Sequence, residues 1–582
     1  MALHGTEKSV CRNNTKLNFK GGIFLRMTGA EMVVKTLEKN GVKVVFGYPG
    51  AANCPIIDKL SFSSIKHILT RNEQGAAHMA SGYARVTKQA GVCTATSGPG
   101  ATNLITGIAT AYMDSIPMIA LTGQVTTKLI GKDAFQEVDI TGATLPFTKH
   151  SYLIKDGLEI PKVVNEAFHI ANTGRPGPVL IDFPMDILKQ EFDYPEDEEE
   201  VNIRGYKLMG KANESQIKKV AEAIKGAKKP VILAGGGIVI SDATNEFRKF
   251  VKETDIPVVS TMMGIGTIPT DSPRYYGMIG SHGVKRANMI FNRADLVIVM
   301  GSRLGDRTVA NVKGLEDSNK LIHIDLDPAE IGKNVQPYIP VVGDIKDVLE
   351  QLTPLIKGYK ADNSWIEEAD ELRSRFTHEP FSDDNGFVNP KYFLKVLSEK
   401  TNSDVYLSTE VGQNQIWCAN NFTFTSPRSL LTSGGFGTMG YGLPAAIGAS
   451  VAANGEKPVI AVMGDGSFQM DLPEMGTMAQ WDIPVKMVLF QNHRLGMVHE
   501  HQYLLYKSNY QAVTIEGKPD FEMLAKAYGI ESGTVTENSG VSEAIDKMMT
   551  NSGSYLLIVE VSPFEPTGDA LNEATLPKKE DN

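Results

Sequence analysis

The chain has 582 residues, of which 42% are hydrophobic, and its formal net charge is −10. A chain of this length is expected to form several domains. The acidic balance, with no basic cluster beyond the N-terminus, argues against nucleic acid as a partner, and no apolar run is long enough to span a membrane. The cysteines lack the spacing of a zinc site or a disulfide framework, which indicates a reducing cytoplasm. They are Cys11, Cys54, Cys93 and Cys418.

Residues 1–26 are expected to form a disordered tail, because they are basic, show little apolar periodicity and lack the apolar region of a secretory signal. A helix is predicted to begin near Thr28. Thr28 and Glu31 have the spacing of a capping box, and an amphipathic stretch follows as far as Lys39. Met27 is therefore an alternative to Met1 as the initiator.

Apolar strands alternate with helical stretches along the rest of the chain and form three blocks. This alternation predicts an α/β fold of three Rossmann-like domains, each a doubly wound parallel sheet covered by helices on both faces. The predicted segments are a first domain at 27–190, an acidic linker at 191–205, a central domain at 206–375, a third domain at 390–570 and a C-terminal tail at 571–582. The predicted strands are 42–46, 91–96, 117–121 and 179–183, then 231–234, 296–300 and 321–325, then 405–407, 459–463, 485–490 and 556–561.

The third block contains Gly464-Asp465-Gly466-Ser467 after one apolar run and Asn492 after the next. The spacing leaves room for a turn, a helix and a second parallel strand, so that a carboxylate and an amide would lie at neighbouring strand ends. Their oxygens suit Mg²⁺ bound to a diphosphate, and the glycines let backbone N–H groups approach the phosphates. An ordinary strand-end turn is the alternative, and Asn492 after the second strand favours the metal site.

These residues are similar to the motif with which thiamine-diphosphate (ThDP) enzymes hold their cofactor, and the resemblance extends along nearly the whole chain. Outside the third domain it is carried by RNEQGAAHMA at 71–80, TSGPGATN at 96–103 and DAFQE at 133–137, and within it by GFGTMG at 435–440. Together these motifs resemble the acetolactate synthases, the FAD-containing branch that forms acetohydroxy acids.

The resemblance implies that Glu73 is the catalytic glutamate, which favours the tautomer of the aminopyrimidine ring that removes a proton from the thiazolium. A surface ion pair between Arg71 and Glu73 is the alternative from the residues alone. Met439 would hold the cofactor bent, although a methionine in such a loop is more often core packing. Glu73 and Asp465 of one site would belong to different subunits, so a homodimer or tetramer is expected.

Phe135, Gln136 and Lys149 occupy positions at which the family places groups beside the substrate. Gln136 would donate a hydrogen bond to the substrate or intermediate, and Lys149 would anchor a 2-keto acid carboxylate. A surface lysine is the alternative for Lys149. His501 stands where the family has a tryptophan associated with a preference for 2-ketobutyrate over pyruvate, so the resemblance leaves the acceptor open and a weak preference is expected.

The remaining cofactor contacts are also implied by the resemblance. Those to ThDP would come from Pro49, Val411, Gly412, Gln413, Gly437, Met439, Gly464, Asp465, Gly466, Ser467, Asn492, Gly496 and Met497. The metal ligands would be Asp465, Asn492 and the carbonyl oxygen of Arg494.

The middle block resembles an FAD site, with glycine-rich turns after predicted strands. The flavin would be structural, because the net reaction transfers no electrons. The residues expected to contact it are Arg175, Gly236, Gly237, His282, Gly283, Gly301, Arg303, Arg307, Asp325, Gly343 and Asp344. Leu304 and Gly305 depart from the family, which commonly has Phe-Asp at these positions.

The resemblance thus implies a cytoplasmic carboligase that depends on ThDP, Mg²⁺ and FAD. It would join pyruvate to a second 2-keto acid, pyruvate or 2-ketobutyrate, in branched-chain amino acid biosynthesis, and a small regulatory subunit is a further partner that the family allows. The first alternative is another ThDP-dependent decarboxylase or carboligase with a different acceptor. The second is a non-catalytic nucleotide-binding regulator, against which the joint presence of Glu73, Asp465 and Asn492 argues.

Overall fold

The computed structural model describes residues 18–19, 22–195, 200–309, 312–318, 320–377, 386–517 and 519–568. Three six-stranded parallel sheets follow one another along these residues, each covered by helices, which confirms the predicted fold class. A fourth sheet has three antiparallel strands. None of the helices in these ranges combines the length and the apolar character needed to cross a bilayer.

The first sheet has the strand order β4-β3-β5-β6-β8-β7, and the antiparallel sheet has the order β1-β2-β9. The strands of this region are β1 Asn18–Phe19, β2 Gly22–Thr28, β3 Val44–Gly47, β4 Lys66–Leu69, β5 Gly91–Ala95, β6 Met118–Gln124, β7 His150–Leu153, β8 Pro178–Pro184 and β9 Glu191–Pro195. Its helices are α1 Gly29–Lys39, α2 Cys54–Leu60, α3 Glu73–Thr87, α4 Pro99–Asn103, α5 Ile105–Met113, α6 Ile140–Thr144, α7 Ile160–Asn172 and α8 Met185–Lys189, with 3₁₀ turns at Leu145–Phe147 and Gly157–Glu159.

The central sheet has the order β12-β11-β10-β13-β14-β15. Its strands are β10 Pro230–Ala234, β11 Val258–Ser260, β12 Tyr275–Met278, β13 Leu296–Met300, β14 Lys320–Asp325 and β15 Ile339–Val342. The helices are α9 Glu214–Gly226, α10 Gly236–Ile240, α11 Thr244–Thr254, α12 Lys285–Arg293, α13 Val312–Ser318, α14 Ile345–Leu355 and α15 Asn363–Arg375, with a 3₁₀ turn at Met262–Gly264.

The third sheet has the order β17-β16-β18-β19-β21-β20. Its strands are β16 Tyr406–Thr409, β17 Leu430–Leu431, β18 Val459–Gly464, β19 Lys486–Gln491, β20 Glu531–Val535 and β21 Tyr555–Glu560. The helices are α16 Pro390–Lys400, α17 Gln413–Asn421, α18 Gly442–Ala453, α19 Asp465–Asp471, α20 Met475–Trp481, α21 Gly496–Leu505, α22 Phe521–Ala527 and α23 Val541–Thr550, with 3₁₀ turns at Leu472–Glu474 and Asn538–Gly540.

The N-terminal segment departs from the sequence prediction. Residues 18–19 and 22–26 form strands rather than a disordered tail, and 191–195 form β9 rather than a linker, so both predictions are wrong for these residues. The reason is that β2 and β9 pair with each other along their length. Residues 1–17, 20–21, 196–199 and the predicted tail at 571–582 lie outside the described residues. The capping box of Thr28 and Glu31 is confirmed.

The first and third domains pack through α3 and α18, and their buried side chains form one continuous cluster. Glycines make this contact close. A Cβ atom on Gly82 would lie 2.0 Å from the carbonyl oxygen of Ala445, and one on Gly448 would lie 1.9 Å from that of Met79. Because no side chain fits in that space, this helix pair fixes how the residues at the start of α3 lie against the third domain.

Candidate active site

Asp465 lies at the C-terminal edge of the third sheet, where β18 passes into α19. Strands β18 and β19 are parallel neighbours, with Gly464 opposite Phe490, so the segment that follows β19 runs beside Asp465. The backbone N–H of His493 donates to Oδ2 of Asp465 at 2.7 Å. The predicted strand, helix and second parallel strand are therefore confirmed.

The other carboxylate oxygen of Asp465, Oδ1, is buried and has no hydrogen-bond partner among the described residues. The residue is 1% exposed, and this burial raises the pKa of Asp465 to about 7. A cation would satisfy the oxygen and stabilise the charge. The described residues contain no group of three or more His, Cys, Asp or Glu able to hold a metal. A metal here would therefore need oxygens other than further carboxylates, as the amide of Asn492, the Arg494 carbonyl and an anionic diphosphate would supply.

Gln413, Asn492 and Gly496 form one contact group at this edge. Nδ2 of Asn492 donates to Oε1 of Gln413 at 3.2 Å, and the amide oxygen of Asn492 accepts from the N–H of Arg494 at 3.0 Å. A Cβ atom on Gly496 would lie 1.9 Å from the same Oε1 atom, so only glycine fits there. Gly412 has a φ of 140°, a conformation that favours glycine at the start of α17.

The N-terminus of α19 supplies the backbone groups for an anion. A Cβ atom on Gly466 would lie 2.5 Å from Cδ2 of Leu495, and Oγ of Ser467 donates back to the carbonyl of Gly464 at 3.2 Å. Free N–H groups at a helix N-terminus favour phosphate. The other predicted ThDP contacts of this domain, Val411, Gly437, Met439 and Met497, lie on connecting or first-turn positions and are not fully buried, whereas Pro49 follows β3 of the first sheet.

Glu73 is the first residue of α3, which Asn72 caps through its side chain. Its carboxylate is half-buried in the described chain. Nδ2 of Asn103 donates to Oε2 of Glu73 at 3.0 Å. A Cβ atom on Gly100 would lie 3.2 Å from Oε1, so the glycine-rich turn at 98–100 lies directly against the glutamate. The sequence singled out this turn, but not Asn103 as the partner of Glu73.

Glu474 of the third domain accepts hydrogen bonds from the backbone immediately before Glu73. The N–H groups of Arg71 and Asn72 both donate to Oε1 of Glu474 at 3.0 Å, and Oγ1 of Thr477 donates to Oε2 at 2.6 Å. Glu474 lies nine-tenths or more buried, and burial raises its pKa. The segment that begins with Asp465 therefore fixes the start of α3 in its own chain, a link that the sequence did not reveal.

Two further buried carboxylates lie beside this link. Glu410 accepts from the N–H groups of Gly440 and Gly442 at 2.8 and 2.6 Å, and burial raises its pKa to about 6. A Cβ atom on Gly440 would lie 2.3 Å from Oδ2 of Asp471. Burial raises the pKa of Asp471 to about 8, and the charges of Glu410 and Glu474 add to the effect. These acids were not predicted from sequence.

Gln136 and Phe135 lie on a loop that meets the glycine turn beside Glu73. A Cβ atom on Gly98 would lie 2.8 Å from the carbonyl oxygen of Gln136, and Gln136 itself has a φ of 59°. The carboxylate of Glu137 closes the loop by accepting the N–H groups of Gly131, Lys132 and Ala134. Phe135 is 88% exposed, so nothing in the described chain covers its ring.

A buried pair behind this loop was also missed from sequence. Nε2 of Gln124 donates to the carbonyl of Val138 at 2.8 Å and to Oδ2 of Asp182 at 2.9 Å. Oγ1 of Thr122 donates to Oδ1 of Asp182 at 2.6 Å. Asp182 is 1% exposed, and burial raises its pKa to about 7. The pair thereby ties the end of the Gln136 loop to the centre of the first sheet.

Lys149 is placed differently from the prediction. Its ammonium donates to the carbonyls of Ile170 and Thr173 at the end of α7 and to the hydroxyl of Tyr206. These three acceptors use all three N–H donors of the group. As a correction, the structure therefore gives Lys149 the role of closing a helix C-terminus, and no donor remains for a substrate carboxylate in this arrangement.

His501 lies on α21 and is exposed in the described chain, with its ring centroid 5.9 Å from that of Tyr506. His499 is buried and stacks on Tyr510 at 4.2 Å. His501 would therefore contact the acceptor 2-keto acid only if another protein surface packs against α21 and encloses the substrate there.

The residues predicted to contact a flavin gather at one edge of the central sheet, because parallel strands end on the same side. Asp325 is the last residue of β14, and the other residues follow β10, β12, β13 or β15. They are Gly236, Gly237, His282, Gly283, Gly301, Arg303, Arg307, Gly343 and Asp344. A Cβ atom on Gly237 would lie 2.6 Å from Cα of Gly301, so these two turns touch. Burial raises the pKa of Asp325 to about 6.

Asp344 and Arg175, both predicted to contact the flavin, form hydrogen bonds or ion pairs with other residues of the chain. Asp344 caps α14 by accepting from the N–H groups of Lys346 and Asp347. Arg175, from the first domain, pairs with Glu330 at 2.7 Å and Asp327 at 3.2 Å and so ties the first domain to the central one. Leu304, at the departure from the family pattern, is buried and has a φ of 51°.

No hydrogen bond joins the side chains of Glu73 and Asp465 in the part of the chain that the structure describes. Their connection runs instead through Glu474 and the start of α3.

Comparison with known proteins gives matches in all three domains. Models of thiamine pyrophosphate enzymes match as the N-terminal TPP binding domain over residues 27–143, the central domain over 217–352 and the C-terminal TPP binding domain over 410–559. The chain is 45% identical over 571 residues to the probable acetolactate synthase large subunit of Methanocaldococcus jannaschii, with 95% of each chain covered. It is 42% identical to the acetolactate synthase large subunit of Lactococcus lactis, with 92% of this chain and 93% of the relative covered. It is 40% identical to the acetolactate synthase isozyme 2 large subunit of Escherichia coli, with 93% and 96% covered.

Proposed function

Because the chain belongs to the acetolactate synthase large subunits, a family of ThDP enzymes, we propose that it joins pyruvate to a second 2-keto acid with loss of CO₂. The products would be 2-acetolactate from pyruvate and 2-aceto-2-hydroxybutyrate from 2-ketobutyrate, both for branched-chain amino acid synthesis. The observation that carries the proposal is the buried Asp465 carboxylate beside Asn492, with one oxygen left without a partner.

Magnesium fits this edge of the sheet. Asp465 would supply a carboxylate oxygen, Asn492 an amide oxygen and Arg494 its carbonyl, while the N-terminus of α19 would receive the diphosphate. Binding of the cation would favour the ionised form of Asp465, which burial alone disfavours. The side chain of Asn492 is already oriented for this role by its hydrogen bond to Gln413.

Bound ThDP would supply a carbon acid whose deprotonated form is nucleophilic toward a keto group and can accept the electron pair released on loss of CO₂. The chain's own contribution begins at Glu73, which would exchange a proton with the aminopyrimidine ring and which Asn103 holds in orientation. Met439 would contact the cofactor and support it in its bent form. Gln136, on the loop that touches the same glycine turn, would donate a hydrogen bond to the acceptor or product oxygen.

We also propose FAD as a structural cofactor of the central domain. The touching glycine turns at Gly237 and Gly301 and the buried Asp325 support this, since they leave backbone close to where a dinucleotide would lie. Purified protein should then be yellow and release flavin on denaturation. A colourless enzyme of full activity that gains nothing from added FAD would contradict it, and Leu304-Gly305 would be the reason.

A homodimer or tetramer with shared sites is part of the proposal. Phe135 is 88% exposed in a segment predicted to face the substrate, and Phe436 is 48% exposed in a segment predicted to contact ThDP. Exposed aromatic rings at a site indicate a surface that another subunit covers. The relatives are named large subunits, which supports a small regulatory subunit as a further partner. The free thiols Cys54, Cys93 and Cys418 support a reducing cytoplasm.

The domain limits given by the sequence enter as proposals too: a pyrimidine-binding domain at 27–190, an FAD domain at 206–375 and a diphosphate domain at 390–570. The function is tested by incubating purified protein with pyruvate and identifying the product. Acetolactate that appears only with ThDP and Mg²⁺ supports the proposal. Acetaldehyde as the main product would instead indicate a 2-keto acid decarboxylase, and saturable ThDP binding without turnover would indicate a regulator.

A further inference from the structure

A cavity of about 420 Å³ lies at the edge of the first sheet opposite the candidate active site. Its lining includes Lys43, Ala90, Pro117 and Pro176, which precede strands β3, β5, β6 and β8. The candidate active site lies past the other ends of these parallel strands. The cavity is therefore separate from the residues assigned to ThDP, Mg²⁺ and substrate.

All three domains contribute to this cavity. The first domain supplies most of the wall, the central domain supplies Ile240 and Asp242, and the third domain supplies Arg428. A ligand held here would contact each of them at once. Tyr83 and Arg85 in the wall belong to the last turns of α3, the helix whose first residue is Glu73.

The lining is basic although the chain as a whole is acidic, with a formal net charge of −10. The described lining residues include four cations, Lys43, Arg85, Lys88 and Arg428, and one acid, Asp242. Such a local excess of positive charge attracts anions.

Only two of these four cations are neutralised. Arg85 pairs with Asp114 at 2.7 Å and Lys88 with Asp242 at 2.6 Å. Lys43 and Arg428 form no ion pair with the residues that the structure describes. Two positive charges therefore remain uncompensated at the cavity.

Among the described residues the guanidinium of Arg428 donates hydrogen bonds only to carbonyl groups, and Asp242 acts on its charge without forming an ion pair with it. Nη2 donates to the carbonyl of Val239 at 2.8 Å and Nη1 to that of Arg85 at 3.4 Å. Arg428 also has a φ of 61°, in the left-handed region, so its backbone takes an uncommon conformation. Nε of Arg85 is buried and has no partner among the described residues. N–H donors therefore remain for an anionic acceptor.

Most of the remaining wall is apolar and includes Val42, Val44, Ile116, Tyr83 and Phe168. Four uncharged polar residues also line it: Asn40, Gln89, Ser115 and Asn172. The volume falls in the range of small-molecule sites and exceeds what a bare inorganic anion fills. The chemistry that fits is an apolar body with a doubly negative group, since the two uncompensated charges match a dianion and guanidinium groups bind phosphate oxygens in pairs.

We propose that this cavity is a binding site for a small phosphate monoester with an apolar body. Its phosphate contacts Arg428 and Lys43, and its body lies against Tyr83 and the aliphatic wall. The ligand thereby contacts all three domains at the end of α3 that is far from Glu73. The site is independent of which 2-keto acids the enzyme uses.

The test uses phenyl phosphate as the probe and phenol as its uncharged match, each titrated calorimetrically into the holoenzyme saturated with ThDP, Mg²⁺ and FAD. We expect one phenyl phosphate per chain, affinity that weakens with added salt, and no saturable binding of phenol. Loss of a charge-assisted contact should weaken binding about tenfold or more in Lys43→Gln and in Arg428→Gln. Lys218→Gln, at an exposed position on α9 away from the cavity, is the matched control and should bind like the unmodified chain.

Absence of saturable binding at millimolar concentration would overturn the proposal, as would equal binding of phenol. Unchanged affinity in Lys43→Gln would also overturn it, and this variant guards against misfolding because Lys43 is exposed. Displacement of the probe by additional ThDP would assign it to the cofactor site and contradict a separate one.

Discussion

Asn103 holds the catalytic candidate Glu73 in place: its side-chain Nδ2 donates to Oε2 of the glutamate at 3.0 Å. The two residues lie on different elements, at the end of α4 and at the start of α3. A carboxylate that must face a cofactor ring from the first turn of a helix has few covalent constraints on its direction. The amide of Asn103 supplies one such constraint.

Replacing Asn103 by Ala should lower kcat while leaving the affinity for ThDP and the KM for pyruvate little changed. A hydrogen bond to a charged group contributes about 1.5–3 kcal/mol, which corresponds to roughly 10–150-fold in rate if all of it orients Glu73. Thr102→Ala is the control, since Thr102 donates only to the carbonyl of Pro99. Steady-state kinetics of both variants is the measurement, and equal rates would show that Asn103 does not position Glu73.

Mixing two inactive variants tests whether the site is shared between chains. Glu73→Gln should lose about two to four orders of magnitude in turnover, the scale of an acid–base group. Asp465→Ala should lose Mg²⁺-dependent ThDP binding. If one site uses Glu73 of one subunit and Asp465 of the other, dissociated and reassociated mixtures regain part of the activity, because each mixed dimer contains one intact site.

The control for that experiment is reassociation of each variant with itself, which should remain inactive. Mixtures that stay inactive although mixed dimers form, as mass spectrometry would show, would place Glu73 and Asp465 of one site in the same chain.

Asp182 should make the stability of the first domain depend on pH. Burial raises the pKa of Asp182 from 3.8 to about 7, so the folded chain holds one more proton than the unfolded chain between about pH 4 and 7. Stability from this group is fully present at low pH and falls as the pH rises through that window. Asp182→Asn mimics the protonated acid, because its amide group can donate to Thr122 while its oxygen accepts from Gln124.

The measurement is the melting temperature of both proteins across that pH range. The difference between the two curves isolates Asp182 from Glu410 and Asp471, which titrate in both. We expect the melting temperature of Asp182→Asn to rise relative to that of the wild type as the pH increases. Asp182→Ala should instead cost about 1–3 kcal/mol at low pH, since it leaves buried polar groups without partners, and this cost should shrink as the pH rises and the wild type loses stability. A constant difference between the wild-type and Asn curves would contradict the raised pKa.

His501 should leave the enzyme with little preference between acceptors. A methylene in a pocket is worth about 1–3 kcal/mol, or roughly 10–200-fold, and a histidine offers less apolar surface than the tryptophan found in the family. His501 is exposed in the described chain, so any such wall forms only where a second surface meets α21. Competition between pyruvate and 2-ketobutyrate should show a gain for 2-ketobutyrate in His501→Trp. Strong 2-ketobutyrate preference in the unmodified enzyme would show that other residues form the pocket.

The central strands of the parallel sheets could mostly be predicted from sequence, and the edge strands could not. The eleven predicted strands are all present in the three parallel sheets, and the seven strands of those sheets that were missed are the six edge strands and β11. The three strands of the antiparallel sheet were also missed. Edge strands such as β4, β7 and β20 are only partly buried, so they lack the continuous apolar run that marks a central strand. Strand β2 was missed because its partner, β9, is distant in the sequence.

The candidate site also has residues whose positions could be predicted from sequence and residues whose contacts could not. Asp465 and Asn492 follow strands whose pattern fixes where they end, so their proximity could be predicted. The roles of Glu474 and Lys149 depend on which backbone groups the tertiary structure brings within reach. Glu474 meets the start of α3 from another domain, and Lys149 meets the end of α7, and no local pattern encodes either contact.

The ratio of pyruvate consumed to CO₂ released tests the central claim most directly. Carboligation uses two molecules of pyruvate for each CO₂, because the second is retained in acetolactate, whereas simple decarboxylation uses one. The account predicts the carboligation ratio in purified enzyme with ThDP and Mg²⁺, and no CO₂ release above background from Asp465→Ala. A one-to-one ratio with acetaldehyde as the product would contradict it.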